Sequence, residues 1–241
     1  MSAIQQRILD AKQVEEFYHD IFVTTQVRDF ADLVAEAQLS IKKVVDIGGG
    51  CGFFAAALTQ KTGLDVKVID MDPGSVAACQ KKGVPAEIGD ALNPTQHGDE
   101  DMVSLNLILH HLVAVSDAAT EALQRRAVSV WKDKAKAIFV NEYIYDSYLP
   151  HTSGWLIYQI TSSRLLSAVG ELVAKLVPSL RANTFGTGVR FRAHDEWVSL
   201  FDKLGFSVAS YRRGSEENVS LARRMLMIKS CRRDSYLLVT K

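Results

Sequence analysis

The feature that most constrains this chain is a run of four glycines within five positions, at 48–52 in the stretch VVDIGGGCGFF. A glycine inside a helix or strand costs roughly 0.5–1 kcal/mol relative to alanine, so this stretch is typical of a loop. Such a loop adopts positive φ angles or brings its backbone against a ligand. Because β-branched residues precede it and helix formers follow it, the sequence predicts a strand, a loop and a helix whose first N–H groups face that ligand.

An acidic residue lies at the end of each of the first two predicted strands. Asp46 comes just before the glycine loop, and Asp70 lies 18 residues beyond Gly52. An acid about 20 residues after such a loop typically accepts hydrogen bonds from ribose hydroxyls. Asp46 would repel a pyrophosphate at the loop, whereas a ligand with a cationic centre or an amino group would be compatible with it. The two acids therefore favour a nucleoside ligand that carries a positive group.

The glycine pattern also permits a different ligand. Gly50, Gly52 and Ala55 satisfy the pattern G-x-G-x-x-A, so an NAD(P)-dependent dehydrogenase is an open alternative. Asp90, which follows Gly89 after the third predicted strand, is placed to accept a hydrogen bond from an adenine amino group. Together with Asp46, this second acid shifts the balance away from the dehydrogenase.

Hydrophobic periodicity predicts alternating strands and helices over most of the chain. This alternation is typical of a doubly wound α/β fold with a mostly parallel sheet. Residues 2–38 are expected to be helical, with a break at the β-branched residues 23–25. Strands are predicted at 43–47, 66–70, 85–88, 102–107, 135–142, 206–211 and 235–239, and helices at 53–61, 73–82, 116–131 and 194–204.

The alternation divides the chain into an N-terminal helical part, 1–40, and a core part, 41–241. It is interrupted at 146–193, where one or two amphipathic helices and the loop 183–188 are expected. Insertions after the carboxyl ends of strands lie beside the ligand site of an open α/β sheet. The insertion is therefore interpreted as a helical lid, with additional core packing as the alternative.

Composition narrows the classes of partner. Lys and Arg together number 28, as do Asp and Glu, and the zero net charge disfavours nucleic acid and membrane surfaces as partners. No apolar run approaches the ~18 residues of a membrane span. The three scattered cysteines form neither a metal pattern nor a disulfide framework, so a cytoplasmic location is expected. The basic link 212–233 is either a solvated connection or a grip on an acidic substrate or partner.

Six short motifs, in order, resemble the class I S-adenosylmethionine-dependent methyltransferases. They are VVDIGGGCG (44–52), VIDMD (68–72), GDA (89–91), LNLILHHL (105–112), IFVNEY (138–143) and DEWVSLFDKLGF (195–206). The resemblance implies a Rossmann-like sheet of seven strands with the last strand antiparallel, and S-adenosyl-L-methionine as the cofactor. It also implies cofactor contacts from Asp46, Gly48, Gly49, Gly50, Gly52, Asp70, Met71, Asp90, Ala91 and Asn106.

Within that class, the chain is similar to small-molecule O-methyltransferases of the plant type. His110 stands where those enzymes carry their base, and Glu142 matches the strand-five Glu that helps to hold it. The resemblance implies a hydroxylated small molecule as methyl acceptor and His110 and Glu142 as catalytic residues. This chain departs from the pattern at His111, where those enzymes have Asp, and it lacks their long N-terminal dimerisation domain.

Two matters on the acceptor side stay open at the level of sequence. A non-catalytic cofactor-binding partner protein is an alternative, because the insertion matches no acceptor-binding segment. No metal ligand set stands out, so no metal is expected, and the oligomeric state is not indicated. Aromatic residues that could line the acceptor pocket are Phe17, Tyr18, Tyr143, Tyr145 and Trp155.

Overall fold

A seven-stranded sheet runs through the part of the chain that the computed structural model describes, residues 20–176 and 186–241. The order across the sheet is third, second, first, fourth, fifth, seventh, sixth, and only the seventh strand is antiparallel to its neighbours. The strands are β1 (Lys43–Ile47), β2 (Asp65–Asp70), β3 (Ala86–Ile88), β4 (Met102–Asn106), β5 (Ala137–Ser147), β6 (Phe206–Arg212) and β7 (Ile228–Thr240). This sheet confirms the predicted fold class.

Helices pack on both faces of the sheet. In chain order they are α1 (Asp20–Glu36), α2 (Phe53–Thr62), α3 (Pro73–Lys81), α4 (Asp117–Ser129), α5 (Thr152–Ser162), α6 (Arg164–Leu176), α7 (His194–Lys203) and α8 (Leu221–Met225). Local chemistry sets several of these ends. The side chain of Asp72 caps α3 by accepting from the backbone of Gly74 and Ser75, and Ser116 caps α4 in the same manner. No helix among the described residues is long and apolar enough to span a bilayer.

Helix α1 corrects one prediction about the N-terminal segment. The chain remains helical through Val23, Thr24 and Thr25, where a break was expected. β-branched residues lower helix propensity only slightly, and packing overrides so small a cost. Val23 and Val27 lie on the buried side of α1, within one of the two main apolar clusters. The other N-terminal residues, 1–19, lie outside the described part of the chain.

Helix α1 is fixed to the sheet by both apolar and polar contacts. The Phe30 ring lies 5.1 Å from the Phe139 ring on β5. Beside it, the buried Gln26 donates to Asn141 Oδ1 at 3.1 Å, and Asp29 accepts from Ser235 on β7. Buried polar groups are costly when unpaired, so these matched partners fix the position of the helix along the strands. The amino end of α1 therefore lies over the carboxyl end of β5.

Strands β5 and β7 are both longer than the sequence predicted. β5 continues to Ser147 because β7 pairs with it over this whole length, from Ile138 opposite Leu238 to Ser147 opposite Ile228. β7 begins at Ile228, so residues 228–233 of the predicted basic link belong to a strand. The carboxyl ends of β1, β4 and β5 lie at one edge of the sheet, and the start of β7 lies at the same edge.

Candidate active site

The glycine loop connects β1 to α2 and is tied to the end of β2 by main-chain donors. Gly48 N donates to Ile69 O at 2.7 Å, and Gly50 N donates to Asp70 Oδ2 at 2.9 Å. Gly50 has a φ angle of 54°, in the left-handed region that favours glycine. A Cβ atom at Gly49 would clash with the carboxylate of Asp46. The loop can therefore pass close to Asp46 because position 49 carries no side chain.

Beneath this loop lies a buried polar cluster whose hydrogen bonds are incomplete. Asn106 Nδ2 donates to Ser104 Oγ at 2.7 Å and approaches Asp46 Oδ1 at 3.4 Å. Asp46 Oδ2 and Asn106 Oδ1 are buried acceptors without a donor in the described part of the chain. Burial raises the pKa of Asp46 to about 7, against the hydrogen bonds from Ser104 and Asn106 that lower it. Two acceptors without a donor fit a cationic amino group placed between them.

Asp70, the acid predicted to bind ribose, is held by two hydrogen bonds and can accept more. Its Oδ2 accepts from Gly50 N and its Oδ1 from Asp72 N, both at 2.9 Å. A carboxylate has about four acceptor positions, so the half-buried Asp70 retains capacity for the hydroxyls of a ligand. Met71, the next residue, is 50% exposed and is free to cover a ligand at this edge.

The predicted adenine residues lie in the turn after β3. Gly89 N donates to Asp70 O at 3.0 Å, which brings this turn next to the end of β2. Asp90 Oδ1 accepts from Leu92 N at 2.8 Å, and its other oxygen has no partner among the described residues. Ala91 is buried in the apolar core with Ile69. The structure thus brings Asp90 and Asp70 to neighbouring turns at one edge of the sheet.

The two predicted catalytic residues are joined by a short hydrogen bond. His110 lies in the 3₁₀ turn 109–111 after β4, and its Nδ1 is 2.6 Å from Glu142 Oε2 on β5. Both side chains are buried. The second oxygen of Glu142 accepts from Leu109 N at 2.7 Å, so both of its oxygens are engaged. A neutral His110 that donates from Nδ1 presents a free electron pair at Nε2, which has no partner among the described residues.

The segment that returns from the insertion, 188–193, packs directly on His110. Arg190 N donates to His110 O at 2.9 Å. The Phe191 ring stacks on the imidazole of His110 at 4.9 Å and on the Tyr145 ring at 4.3 Å. Val189, Arg190 and Arg192 are buried. This end of the predicted lid is therefore part of the wall around the candidate base.

A buried ionic network holds this returning segment, and no sequence pattern pointed to it. Arg190 donates to Asp117 Oδ1 at 2.7 Å and to Glu196 Oε1 at 3.0 Å. Arg192 donates to Gln124 Oε1 at 2.7 Å and also reaches Glu196. The one available signal was the alternation Arg-Phe-Arg directly before an acidic helix start, which is too short to distinguish from a solvated turn. The network positions Phe191 through two helices, α4 and α7.

His111 differs from His110 in its surroundings. It is exposed at the surface, and its side chain makes no hydrogen bond within residues 20–176 and 186–241. Desolvation by the surrounding protein, together with the neighbouring His110, holds the pKa of His111 well below its usual value. The imidazole of His111 therefore stays neutral at physiological pH.

The aromatic residues proposed for the acceptor pocket separate into three groups. Tyr143 is half-buried, with its ring 6.1 Å from that of His110, and burial raises its pKa to about 12. Tyr145 is buried against Phe191, whereas Trp155 is 45% exposed on α5. Phe17 and Tyr18 lie outside the described residues. In the described ranges, no three His, Cys, Asp or Glu side chains form a cluster suited to a metal ion.

Comparison with known proteins addresses the class of enzyme. Residues 45–128 match the model of a family described as a methyltransferase domain. This range begins in β1 and ends in α4, so it contains the glycine loop, Asp70, Asn106 and His110. No curated protein matches the sequence significantly.

Solved structures with the same fold include methyltransferases of low sequence identity. An S-adenosylmethionine-dependent methyltransferase from Clostridium acetobutylicum is 8% identical, with a TM-score of 0.59 over 90% of this chain and 92% of that one. Magnesium protoporphyrin IX methyltransferase from Synechocystis PCC 6803, solved with S-adenosylhomocysteine, is 16% identical, with a TM-score of 0.56 over 98% and 89%. Mitomycin 7-O-methyltransferase is 16% identical, with a TM-score of 0.51 over 88% and 54%.

Residues 45–128 of this protein thus match a methyltransferase domain, and its fold is that of the solved S-adenosylmethionine-dependent methyltransferases.

The domain match disfavours the dehydrogenase alternative, and the Synechocystis methyltransferase of this fold has also been solved with S-adenosylmethionine bound. The sheet of this chain, with β7 inserted antiparallel between β5 and β6, confirms the predicted Rossmann-like arrangement. The polar groups at the edge of the sheet can be divided by chemistry. Beneath the glycine loop lie Asp46 and Asn106, whose buried acceptor atoms have no donor in the described part of the chain. After β4 lies His110, whose imidazole is hydrogen-bonded to Glu142.

Proposed function

We propose that this methyltransferase methylates a hydroxyl group of a small molecule, with His110 as the base. The observation that carries the proposal is the 2.6 Å hydrogen bond between His110 Nδ1 and the buried Glu142. An imidazole held in this way has a fixed ring orientation and a fixed tautomer. Its Nε2 atom is then the proton acceptor at the edge of the sheet where ligands of open α/β folds bind.

In the proposed mechanism, His110 removes the hydroxyl proton as the oxygen attacks. Nε2 accepts this proton, and the positive charge that develops on the ring is stabilised by the Glu142 carboxylate at Nδ1. Leu109 N holds the other oxygen of Glu142, so the carboxylate cannot rotate away. Stacking against Phe191 keeps the ring in the same plane. Placement of the acceptor oxygen supplies a further part of the rate.

The residues beneath the glycine loop fit the methionine end of the cofactor. Asp46 and Asn106 have buried acceptor atoms without donors, and an ammonium group would satisfy both. The glycines 48–52 would allow the ligand to approach the backbone, and Asp70 would accept from the ribose hydroxyls. Met71, Asp90 and Ala91 would flank the adenine. When bound, the cofactor supplies an electrophilic methyl group on a sulfonium centre.

Similar structures support a small acceptor, although they do not identify it. Mitomycin 7-O-methyltransferase and magnesium protoporphyrin IX methyltransferase are both named for small-molecule acceptors. The proposal takes the O-methyl chemistry from the first of these names and from the base that His110 can provide. A non-catalytic cofactor-binding role is the competing possibility, and the experiment below separates the two.

The proposed reaction is tested with labelled cofactor and a metabolite extract of the source cells. S-adenosylmethionine with a labelled methyl group is incubated with purified protein and the extract. The expected product is a labelled small molecule whose label survives mild alkali, as a methyl ether does. Label released as methanol would indicate a carboxyl ester instead, and label found in protein or RNA would contradict a small-molecule acceptor. Binding of S-adenosylhomocysteine without any transfer would support the non-catalytic role.

We also propose that α5 and α6 act as a lid over the acceptor. Their surface carries exposed apolar side chains, including Leu165, Val169 and Leu172, on the insertion that returns to His110. Hydrogen exchange should slow in the loop 183–188 and in α6 when S-adenosylhomocysteine and an acceptor are both bound. Slow exchange that is the same with and without ligands would mean that this segment is fixed packing.

A further inference from the structure

Arg233 lies on the side of the site proposed for the methyl acceptor, and its guanidinium packs against aromatic rings. On β7 it stands directly opposite Tyr143 of β5. Its guanidinium carbon lies 3.9 Å from the ring centre of Phe22 on α1 and 5.7 Å from that of Tyr143. Stacking occupies the faces of a guanidinium and leaves the N–H groups at its edge available for hydrogen bonds. The guanidinium of Arg233 is thus held in a defined position, and its N–H donors have no acceptor among the described residues.

Most other arginines of the basic link contact a carboxylate, and Arg224, which has no acidic partner among the described residues, is exposed to solvent. The pairs are Arg212 with Glu36, Arg213 with Glu216, Arg223 with Glu217, and Arg232 with Asp146 and Asp234. Arg233 is half-buried and has no acidic partner within residues 20–176 and 186–241. A charge that is partly removed from water is costly when it has no counterion, so this one calls for an anion from outside the described chain.

Arg233 is also close to the candidate base. The Tyr143 ring lies between them, 6.1 Å from the ring of His110 and in contact with the guanidinium. Glu217 contributes to the raised pKa of Tyr143, after burial, but its charge is matched by Arg223 at 3.6 Å. Arg233 is therefore a half-buried positive charge without an acidic partner among the described residues, and the Tyr143 ring lies near both it and His110.

We infer that Arg233 binds an anionic group of the methyl acceptor, so that the acceptor is a small hydroxylated acid. A carboxylate or phosphate would accept hydrogen bonds from the free edge of the guanidinium. Its hydroxyl group would then reach Nε2 of His110 on the other side of Tyr143. The inference rests on the proposed function, and it assigns to Arg233 a specificity-determining role and no part in the proton transfer.

Fractionation of the same metabolite extract provides the test. The extract is passed over an anion-exchange resin, and both the retained acids and the flow-through are incubated with labelled S-adenosylmethionine and the protein. Label is expected in the retained fraction. Label in the flow-through alone would overturn the role of Arg233 while leaving the proposed function intact. Label in neither fraction would contradict the proposed function and, with it, the acceptor inferred here.

Variants then separate recognition from a merely structural role. With the labelled acid as substrate, Arg233→Gln should raise KM roughly 10–100-fold, the usual value of a charge-assisted hydrogen bond, while kcat changes little. Arg233→Lys should recover part of this loss because it retains the charge. Arg213→Gln, which removes an exposed arginine paired with Glu216, is the matched control and should behave as the parent.

The folded state of each variant is checked by its stabilisation with S-adenosylhomocysteine, which should equal that of the parent. An unchanged KM in Arg233→Gln would overturn the inference. So would an equal fall in kcat for Arg233→Gln and Arg233→Lys with KM unchanged, because that pattern is expected of an arginine that only supports the fold.

Discussion

The two ends of the site are held together by different kinds of contact. At the glycine loop, main-chain N–H groups donate to Asp70 and to Ile69 O, and the absence of side chains makes room for Asp46. At the acceptor end, charged side chains from distant segments position the wall. Arg190 joins Asp117 and Glu196, and His110 joins Glu142.

This difference indicates how each end can vary. A loop defined by backbone geometry suits one ligand that must be held in the same way in every turnover. A wall built from side-chain pairs can be changed residue by residue without altering the sheet. We therefore expect substitutions at the acceptor end to affect turnover and those at the loop to affect cofactor affinity, and three substitutions test this separation.

The largest expected effect belongs to His110→Ala. Turnover should fall by roughly 10²–10⁴, the usual contribution of a positioned general base. The dissociation constant of S-adenosylhomocysteine, measured by calorimetry, should change little because His110 makes no contact beneath the glycine loop. His111→Ala is the control and should lower turnover by much less. A variant at His110 that keeps the parental rate would mean that another group, or placement alone, supports the reaction.

Asp46→Asn should act on cofactor affinity instead. Loss of the carboxylate should weaken S-adenosylmethionine binding roughly 10–100-fold, because a charge-assisted contact to an ammonium group is removed. In the parent, binding should weaken as the pH falls below about 7, where the buried Asp46 becomes protonated. The variant should lose this pH dependence.

The carboxyl group of Asp46 also affects the stability of the cofactor-free protein. The pKa of Asp46 is raised from 3.8 to about 7 on folding, so the folded state retains a proton that the unfolded chain loses. Its contribution to stability is therefore present below about pH 4 and is lost as the pH rises to about 7. Thermal unfolding of the cofactor-free proteins should show stability that falls as the pH rises over this range in the parent and not in Asp46→Asn.

The smallest of the three effects is expected for Gly154→Ala. A Cβ atom at Gly154 would clash with Phe191 O and lie 2.7 Å from Arg190 Nη1, so the returning segment must shift. Overpacking of this kind costs typically 1–3 kcal/mol, and a displaced Phe191 should lower turnover roughly tenfold. Cofactor affinity should stay unchanged. Gly98→Ala is the control, because its φ of 79° strains the backbone while the added Cβ meets nothing within 4 Å, so stability should fall and turnover should not.

Elements that depend on contacts between neighbouring residues were predicted more closely than elements whose ends depend on distant parts of the chain. Strands such as 43–47 and helix caps such as Ser116 depend on neighbouring residues, and their positions were predicted closely. The ends of β5 and β7 were not, because each strand is extended by pairing with the other across more than 80 positions of sequence. The expected break at residues 23–25 failed for the same reason, since contacts with the sheet decide the course of α1.

The residues of the site also divide into those that a short stretch of sequence indicates and those whose partners are distant in sequence. The glycines and Asp70 lie in two short stretches, so their spacing alone indicated a nucleoside site. His110 and Glu142 came from resemblance to a family, and the structure places them in direct contact. Arg190, Phe191 and Arg192 were missed because their partners lie on α4 and α7, and Arg233 was seen only as one of many basic residues. Its significance depends on which neighbouring arginines are paired, and a sequence does not show that.

The most direct test of the cofactor site is thermal unfolding with two competing ligands. At about 100 times its dissociation constant, S-adenosylhomocysteine should stabilise the native state by about 2.7 kcal/mol, which raises Tm by roughly 5–10 °C for a chain of this size. NADH should produce no shift. Gly50→Val, which places a branched side chain at a φ angle of 54° in the loop, should remove the response to S-adenosylhomocysteine. Stabilisation by NADH with none from S-adenosylhomocysteine would contradict this account of the loop.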